Sequence, residues 1–426
     1  MVKYRNGEMV KTFDILIIGA GPAGLTAAIK LGETGLRIAV LEKDVFPREK
    51  ICGDALSGKV MSVMKRMPEG IFSDFIANID KTPSLGIRFT SPDMSYVDVP
   101  YVMARADGSG KTPPGMVEHA PGYICSRSRF DKFLYDKCRE FKNISILENT
   151  IISKVSIDNG IVTAESVHNT YTGKMILGAD GVHSVVRKSL TVYHENKKHT
   201  CLGIRAYYEN VSGTHEKNFI ELFFLKDLLP GYFWIFPMPG NRFNVGLGML
   251  KSQVVERKIN LSKALTKIIT SHPQISERFK DAKLIGKFEA HPLPLGLQDE
   301  VRSGNHFILL GDAASLVDPF SGEGIGNAMA SGEVAADIVK ACFEQNRFDA
   351  DFISQYDRRI YRRIMKDFSY SKIIQRLARS ASLFNFVVRR ASRNKGIQEL
   401  LTSISTDERI KKKLTNPLFY LGLLFK

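Results

Sequence analysis

Short apolar runs ending at glycine alternate along this chain with segments of helical spacing. Residues 13–18 form an apolar run rich in β-branched side chains that stops at Gly19, the pattern of a short buried strand. Residues 25–31 follow as a helix, with Ala27, Ala28 and Ile29 inside it, and residues 37–42 read as a second strand. Together they make a βαβ unit of about 30 residues. Residues 57–67 and 129–141 predict helices, the latter with Phe130, Phe133, Leu134 and Cys138 at helical spacing. Residues 85–115 read as irregular, rich in Gly, Pro and Asp. Short strands are expected over 144–177 and again over 200–250, including 219–224 and 232–236. A helix is predicted over 251–279, a buried strand over 306–310 and a helix over 327–341. Beyond Asp351, Ile353, Tyr356, Ile360, Ile364 and Phe368 form one apolar stripe at three-to-four spacing.

Composition narrows the class. The 426 residues suggest two or three domains at ~150 residues each. A 44% hydrophobic and 25% charged chain is not disordered, and 34 Gly with 17 Pro in no period exclude a collagen-like sequence. The five cysteines are too sparse for a disulfide framework and fit a reducing, intracellular setting. No run reaches the ~18 apolar residues of a spanning helix. The apolar stretch over 15–29 is broken by Gly19, Gly21, Pro22 and Gly24 and lacks a signal-peptide cleavage pattern. The net charge of +15 is uneven: residues 356–426 carry 17 Lys and Arg against 5 Asp and Glu, while the body is nearly neutral. A uniformly basic nucleic-acid binder does not have this distribution.

Gly19-Ala20-Gly21-Pro22-Ala23-Gly24 fits GxGxxG between a strand and a helix. Gly19 permits the tight turn, Gly21 lets a pyrophosphate approach the backbone, and Gly24 lets helix and strand pack closely. The helix N-terminus offers free N–H groups to phosphates. Glu42, 18 residues after Gly24, ends the second strand beside Lys43; its carboxylate suits ribose hydroxyls and repels a 2′-phosphate. The site therefore suits FAD or NAD. Two further segments follow strands: Gly178-Ala179-Asp180-Gly181, and Gly311-Asp312-Ala313-Ala314 continuing to Gly322-Glu323-Gly324-Ile325-Gly326. Asp180 and Asp312 can accept bonds from a polyol or cap a helix. The second segment opens a helix whose N-terminus can hold partial negative charge, such as that of a reduced flavin.

In this order, the three segments resemble the FAD-binding elements of the para-hydroxybenzoate-hydroxylase-like flavoproteins. Within that superfamily the chain is most similar to the geranylgeranyl reductase family. Pro47-Arg48-Glu49-Lys50-Ile51-Cys52-Gly53 resembles that family's PxxKxCG segment, and Tyr232-Phe233-Trp234-Ile235-Phe236-Pro237, followed by Gly246-Leu247-Gly248, resembles its YxWxFP…GxG segment. The resemblance covers roughly residues 12–345. It implies an α/β fold: a Rossmann-like FAD-binding domain (12–75, 117–190 and 285–345), an interleaved antiparallel-sheet substrate domain (76–116 and 191–284), and a basic helical C-terminal region (346–426). It implies that Cys52 and Gly53 lie beside the flavin ring, and that Arg127 contacts FAD, although Arg129 is the alternative. Asp312 is implied for the ribityl chain, Gly324 and Ile325 for the ring, and Tyr232, Trp234, Phe236, Gly246 and Gly248 for a lipid cavity.

Flavin brings hydride chemistry. No second GxGxxG is present, so a nicotinamide donor, NAD(P)H, is expected to bind transiently; a ferredoxin-type donor is the alternative. Cys52 can donate a proton beside the ring or act as a small apolar filler. Tyr232, Trp234 and Phe236 share one face of a strand, with Phe233 opposite, and that face lines either an apolar cavity or a sheet core. His119, His183, His291 and His306 lie near motifs without a Ser–His–Asp spacing, and no CxxC or HxxxH spacing supports a metal site. In the tail, Arg358, Arg359, Arg362, Arg363, Arg389, Arg390 and Lys411 to Lys413 interleave with apolar segments that end in residues 418–425. This suits an anionic membrane surface, or else a solvated helical cap.

The expectation is an FAD-dependent oxidoreductase that reduces carbon–carbon double bonds of an apolar, isoprenoid-type substrate. It would be a cytoplasmic monomer, peripheral on the inner face of the membrane, with no nucleic-acid partner. A flavin monooxygenase is the first rival. A halogenase is disfavoured by Tyr232 and Phe236, which depart from a WxWxIP pattern. A non-catalytic, FAD-stabilised scaffold is the rival from another class.

Overall fold

The first apolar run, Ile15–Ile18, lies inside a six-stranded sheet in the computed structural model, which describes residues 2–5, 8–101, 119–296 and 300–394. The sheet order is Ile144–Leu147, Ile38–Leu41, Ile15–Ile18, Met175–Gly178, Phe307–Leu309, Ser303–Gly304. Only the final edge strand runs antiparallel. Ile15–Ile18, Ile38–Leu41 and Met175–Gly178 are buried throughout, as expected for strands covered on both faces. Helices Pro22–Leu31 and Ile325–Gln345 pack against each other on this sheet. The chain leaves Ile15–Ile18 toward Ile38–Leu41 on one side and returns as Met175–Gly178 on the other. A crevice opens at the carboxyl ends of strands at such a switch point.

A seven-stranded sheet, largely antiparallel, stands beside it. Its order is Lys283–Pro294, Thr200–Glu209, Arg242–Leu250, Tyr232–Met238, Ile220–Phe223, Gly86–Thr90, Tyr96–Pro100. Strand period decides its layers. Phe233 and Ile235 pack with Leu265 and Ile269 of helix Leu261–Ser271, while Trp234 and Phe236 pack with Leu222 and Phe224 on the other side. A small sheet, Ala55–Leu56, Gly122–Ile124 and Thr82–Ser84, and a five-stranded sheet that begins with Val2–Arg5 and Glu8–Thr12 complete the fold. The expected apolar stripe from Ile353 to Phe368 is buried in the main core.

Several elements differ from the sequence-based expectation. Part of the stretch read as irregular is the hairpin Gly86–Thr90 and Tyr96–Pro100. Its polar residues form the turn, where Asp93 Oδ1 accepts from Ser95 N–H at 3.1 Å and Ser91 Oγ donates to Ser95 O at 2.8 Å. Residues 102–118 of that stretch lie outside the described residues. The single helix expected over 251–279 is Lys251–Glu256, Leu261–Ser271 and a turn at Ser276–Phe279. Lys258 has φ +51, and Asn260 caps the second helix by accepting from Lys263 N–H at 3.0 Å. Lys283–Pro294 is a twelve-residue strand that the pattern missed, because few of its residues are buried. It pairs with Thr200–Glu209, so the boundary expected at residue 285 falls inside this sheet. The basic run from Lys411 to Lys413 and the apolar end over 418–425 lie outside the described residues. Among the described residues, no helix is long and apolar enough to cross a membrane.

Candidate active site

Three glycines form the turn at the crevice, each for a different reason. Gly19 has φ +99, and a Cβ there would stand 2.5 Å from Ala179 O. A Cβ on Gly24 would stand 2.1 Å from Gly19 O and 3.2 Å from Ile17 Cγ2, so strand and helix meet at this point. A Cβ on Gly21 would meet nothing nearer than Arg48 Nη2 at 4.0 Å. Gly19 and Gly24 are therefore required by the chain itself, whereas the space beside Gly21 faces the groove. Pro22 and Ala23, both buried, begin the helix.

The acidic groups have mixed roles. Glu42 is buried and ties the turn together: Oε2 accepts from Ala20 N–H at 2.7 Å and Oε1 from Asp44 N–H at 3.1 Å. Lys43 is exposed on the groove's rim. Asp180 caps helix Val185–Leu190, with Oδ2 accepting from Val185 N–H at 2.6 Å and Val186 N–H at 3.2 Å. Its Oδ1 is buried with no partner, and burial pushes its pKa up. Asp312 follows Gly311 and lies beside Gly324, the residue that precedes helix Ile325–Gln345. Gly322, at φ +70, leaves room for the Tyr232 hydroxyl, which donates to Ser321 O at 2.5 Å.

On the other side of the groove is the turn carrying Cys52, Gly53 and Asp54. Burial pushes the Cys52 thiol above its ordinary range, and Arg127 opposes this only in part. A group so placed is a thiol rather than a thiolate. Arg127 is buried and held by Asp131 through two hydrogen bonds of 2.7 Å, whereas Arg129 is exposed and pairs with Asp80. Of the two, only Arg127 lines the cavity. Lys50 Nζ lies 2.7 Å from His291 Nε2. Burial lowers both pKa values; for His291, burial and then Lys50 bring it to about 3, so a neutral imidazole accepts from the ammonium.

The aromatic strand forms the wall next to this turn. A Cβ on Gly53 would stand 3.1 Å from Phe236 Cε2, so wall and turn touch. Trp234 pairs across strands with Gly246 and Tyr232 with Gly248. Phe224 extends the wall, with its ring 4.6 Å from Phe384 of helix Ala381–Arg393. Groove, turn and wall border one continuous cavity of about 2240 Å³. Ligand pockets are commonly ~300–1,000 Å³, so this one has room for a dinucleotide and a second ligand. Sequence reasoning missed Asp54 and Asn244, both fully buried and hydrogen-bonded to each other. The available signals were a carboxylate directly after Cys52-Gly53 and a polar residue in an apolar strand.

A dinucleotide-sized groove with an open glycine turn and an orphaned carboxylate oxygen fits FAD. Residues 12–336 match the family described as FAD binding domain. The chain belongs to that family and is an FAD-dependent oxidoreductase, in agreement with the resemblance carried by the three segments. It is 26% identical over 386 residues to the digeranylgeranylglycerophospholipid reductase of Methanococcus vannielii, covering 86% of this chain and 88% of that protein. The solved structure of a geranylgeranyl bacteriochlorophyll reductase-like protein from Thermoplasma acidophilum superposes with a TM-score of 0.75 at 20% identity, covering 95% of this chain and 99% of that one. Halogenase PltM superposes with a TM-score of 0.71 at 17% identity, covering 97% and 90%. At these identities the two solved structures establish a shared fold alone.

Proposed function

We propose that the protein reduces carbon–carbon double bonds of an apolar, isoprenoid-type lipid. The observation that carries this reading is the contact between Phe236 and Gly53, which joins an aromatic wall to the cofactor groove in one cavity. A lipid chain lying along Tyr232, Trp234 and Phe236 would end at the turn bearing Cys52. The name of the Methanococcus vannielii relative supports the same substrate class.

FAD, when bound, supplies the hydride chemistry. The chain's residues do the rest. The turn at Gly19, Gly21 and Gly24 and the N-terminus of helix Pro22–Leu31 receive the pyrophosphate. The free oxygen of Asp180 and the carboxylate of Asp312 accept hydroxyl groups, and Glu42 fixes the turn. Arg127, locked by Asp131, orients the ring side together with Gly322, Gly324 and Ile325. The Cys52 thiol, kept protonated by burial, donates a proton toward the alkene. The aromatic wall, with Gly246 and Gly248 beneath Trp234, excludes water. NAD(P)H or a ferredoxin-type protein acts as a transient electron donor. Exposed Arg393, on a helix whose Phe384 and Val388 reach the cavity, supports peripheral contact with an anionic membrane surface.

The test mixes chemically reduced enzyme with geranylgeranyl-chain lipids, with and without oxygen. The expected result is anaerobic flavin reoxidation and a lipid gaining two hydrogens per reduced bond. Rapid oxygen consumption coupled to a hydroxylated or halogenated product would overturn the reading in favour of the monooxygenase class.

A further inference from the structure

One buried carboxylate connects the thiol turn to the aromatic wall. Asp54 is fully buried and adopts left-handed backbone geometry at φ +64. Its Oδ1 accepts from Arg127 N–H at 3.1 Å, and its Oδ2 accepts from the Tyr207 hydroxyl and from Asn244 Nδ2, both at 2.8 Å. The Asn244 amide is fully committed. Its Nδ2 also donates to the Cys52 carbonyl at 2.7 Å, and its Oδ1 accepts from the Trp234 indole N–H at 2.9 Å. Flipping the amide would set donor against donor at Trp234, so this network allows one orientation.

We propose that Asp54 is a positioning residue that, through the Asn244 amide, holds the turn carrying Cys52 and the indole of Trp234 as one unit. The thiol and the wall then keep a fixed separation. Three donors converge on this carboxylate, and a buried donor left without its acceptor is costly. The charged and titratable groups facing it come from several elements. They are Arg205 and Tyr207 on Thr200–Glu209, with Arg205 paired to Glu289 of the adjacent strand at 3.0 Å, Arg127 on its helix, Cys125, and Cys52 on its own turn. Burial pushes the Asp54 carboxyl up to about 6, with the bonds from Tyr207 and Asn244 and the charge of Arg205 opposing it in part. Protonation at Oδ2 puts an O–H against the Tyr207 and Asn244 donors, which loosens the Asn244 link. Calling this wall lipid-facing rests on the function proposed above; the network itself does not.

Trp234 is the only tryptophan in the chain, so its emission reports the network directly. The test uses the full-length holoprotein. It follows tryptophan emission from about pH 5 to about pH 8 and the rate of Cys52 alkylation, read on the Cys52 peptide. Wild-type emission should shift with a midpoint near 6. Asp54→Asn should abolish that transition and raise alkylation at neutral pH about tenfold, the effect of losing one buried charge-assisted hydrogen bond. Asn244→Ala, which leaves Asp54 bonded to Tyr207 and Arg127, should abolish the emission transition as well. It carries the test if Asp54→Asn fails to fold, as judged by circular dichroism. A folded Asp54→Asn with unchanged transition and alkylation overturns the proposal, as does an Asn244→Ala protein that keeps the transition. Alkene reduction is not scored, so failure of the reductase reading leaves this result intact.

Discussion

The indole of Trp234 lies over Gly246, its cross-strand partner: a Cβ there would stand 2.4 Å from Trp234 Cζ2 and 2.3 Å from Ile204 O. The ring is tied to Asn244 through its indole N–H, and the carbonyl belongs to the neighbouring strand, so neither can readily move aside. Gly246→Ala is therefore expected to destabilise the protein by about 1–3 kcal/mol, the range for overpacking. Trp234 emission should change in the same variant. Chemical denaturation and fluorescence check this; an unaltered midpoint with unaltered emission would refute the packing role.

The glycines of the first turn should separate by assay. Gly21→Val should lower FAD content while leaving the melting temperature of the FAD-free protein nearly unchanged, because the added Cβ meets only the end of the Arg48 side chain, at 4.0 Å. Gly24→Ala should destabilise the fold itself, because its Cβ would meet Gly19 O at 2.1 Å. Asp312→Ala should also lower FAD content, through a lost acceptor. Flavin absorbance per chain and thermal melts distinguish these outcomes.

Asp54 predicts a pH dependence with an unusual sign for a carboxylate. Its folded pKa of about 6 exceeds the ordinary 3.8, so across that interval the folded state binds more protons than the unfolded state. Its contribution is full below the unfolded value, falls as pH rises toward 6, and is level above. The whole change is roughly 3 kcal/mol. Denaturant titrations of wild type and Asp54→Asn should diverge across this window, with the variant losing that slope. Parallel curves would contradict it.

Helix Ala381–Arg393 is fastened to the hairpin turn by two contacts: Asp93 N–H donates to Asn385 Oδ1 at 3.2 Å, and Arg389 pairs with the Asp93 carboxylate. Burial opposes ionisation of Asp93, but bonds from Ser91, Ser95 and Arg389 outweigh it and hold the pKa at about 2. This pairing is complete above the ordinary carboxylate value and is lost only as pH falls toward 2. Asp93→Ala should speed amide exchange within 381–393 and tryptic cleavage after Arg389 at neutral pH. Unchanged protection would show that apolar packing alone seats the helix.

With 17 basic residues beyond residue 355, the full chain should also sediment with anionic vesicles at low salt. Each cation near such a surface contributes ~1 kcal/mol, and the attraction fades within a Debye length. Binding should drop steeply on adding salt and be weak on neutral vesicles. Equal binding to both would argue against an electrostatic surface.

Much of the cofactor turn is legible in the amino-acid sequence, because its constraints are local. A positive φ at Gly19 and a close strand–helix approach at Gly24 act between residues a few positions apart, and GxGxxG records them directly. The common face of Tyr232, Trp234 and Phe236 follows equally from strand period. Polar groups are harder to read. Arg127 and Arg129 are two positions apart in one helix, and only packing shows that the first is buried against Asp131 while the second reaches Asp80 at the surface. Asp180, a candidate hydroxyl acceptor or cap, is a cap through one oxygen and keeps the other buried without a partner.

The βαβ unit, the glycine turn, the aromatic face and the basic C-terminal region can each be read from the order of amino acids, since each depends on φ, period or charge within a short stretch. Only the folded chain shows that Lys283–Pro294 joins the seven-stranded sheet and that Asp54 meets Asn244 across 190 positions. A half-exposed strand carries little hydrophobic period. The ionisation and role of a buried carboxylate depend on its solvent exclusion and on the donors around it, which come from distant parts of the chain.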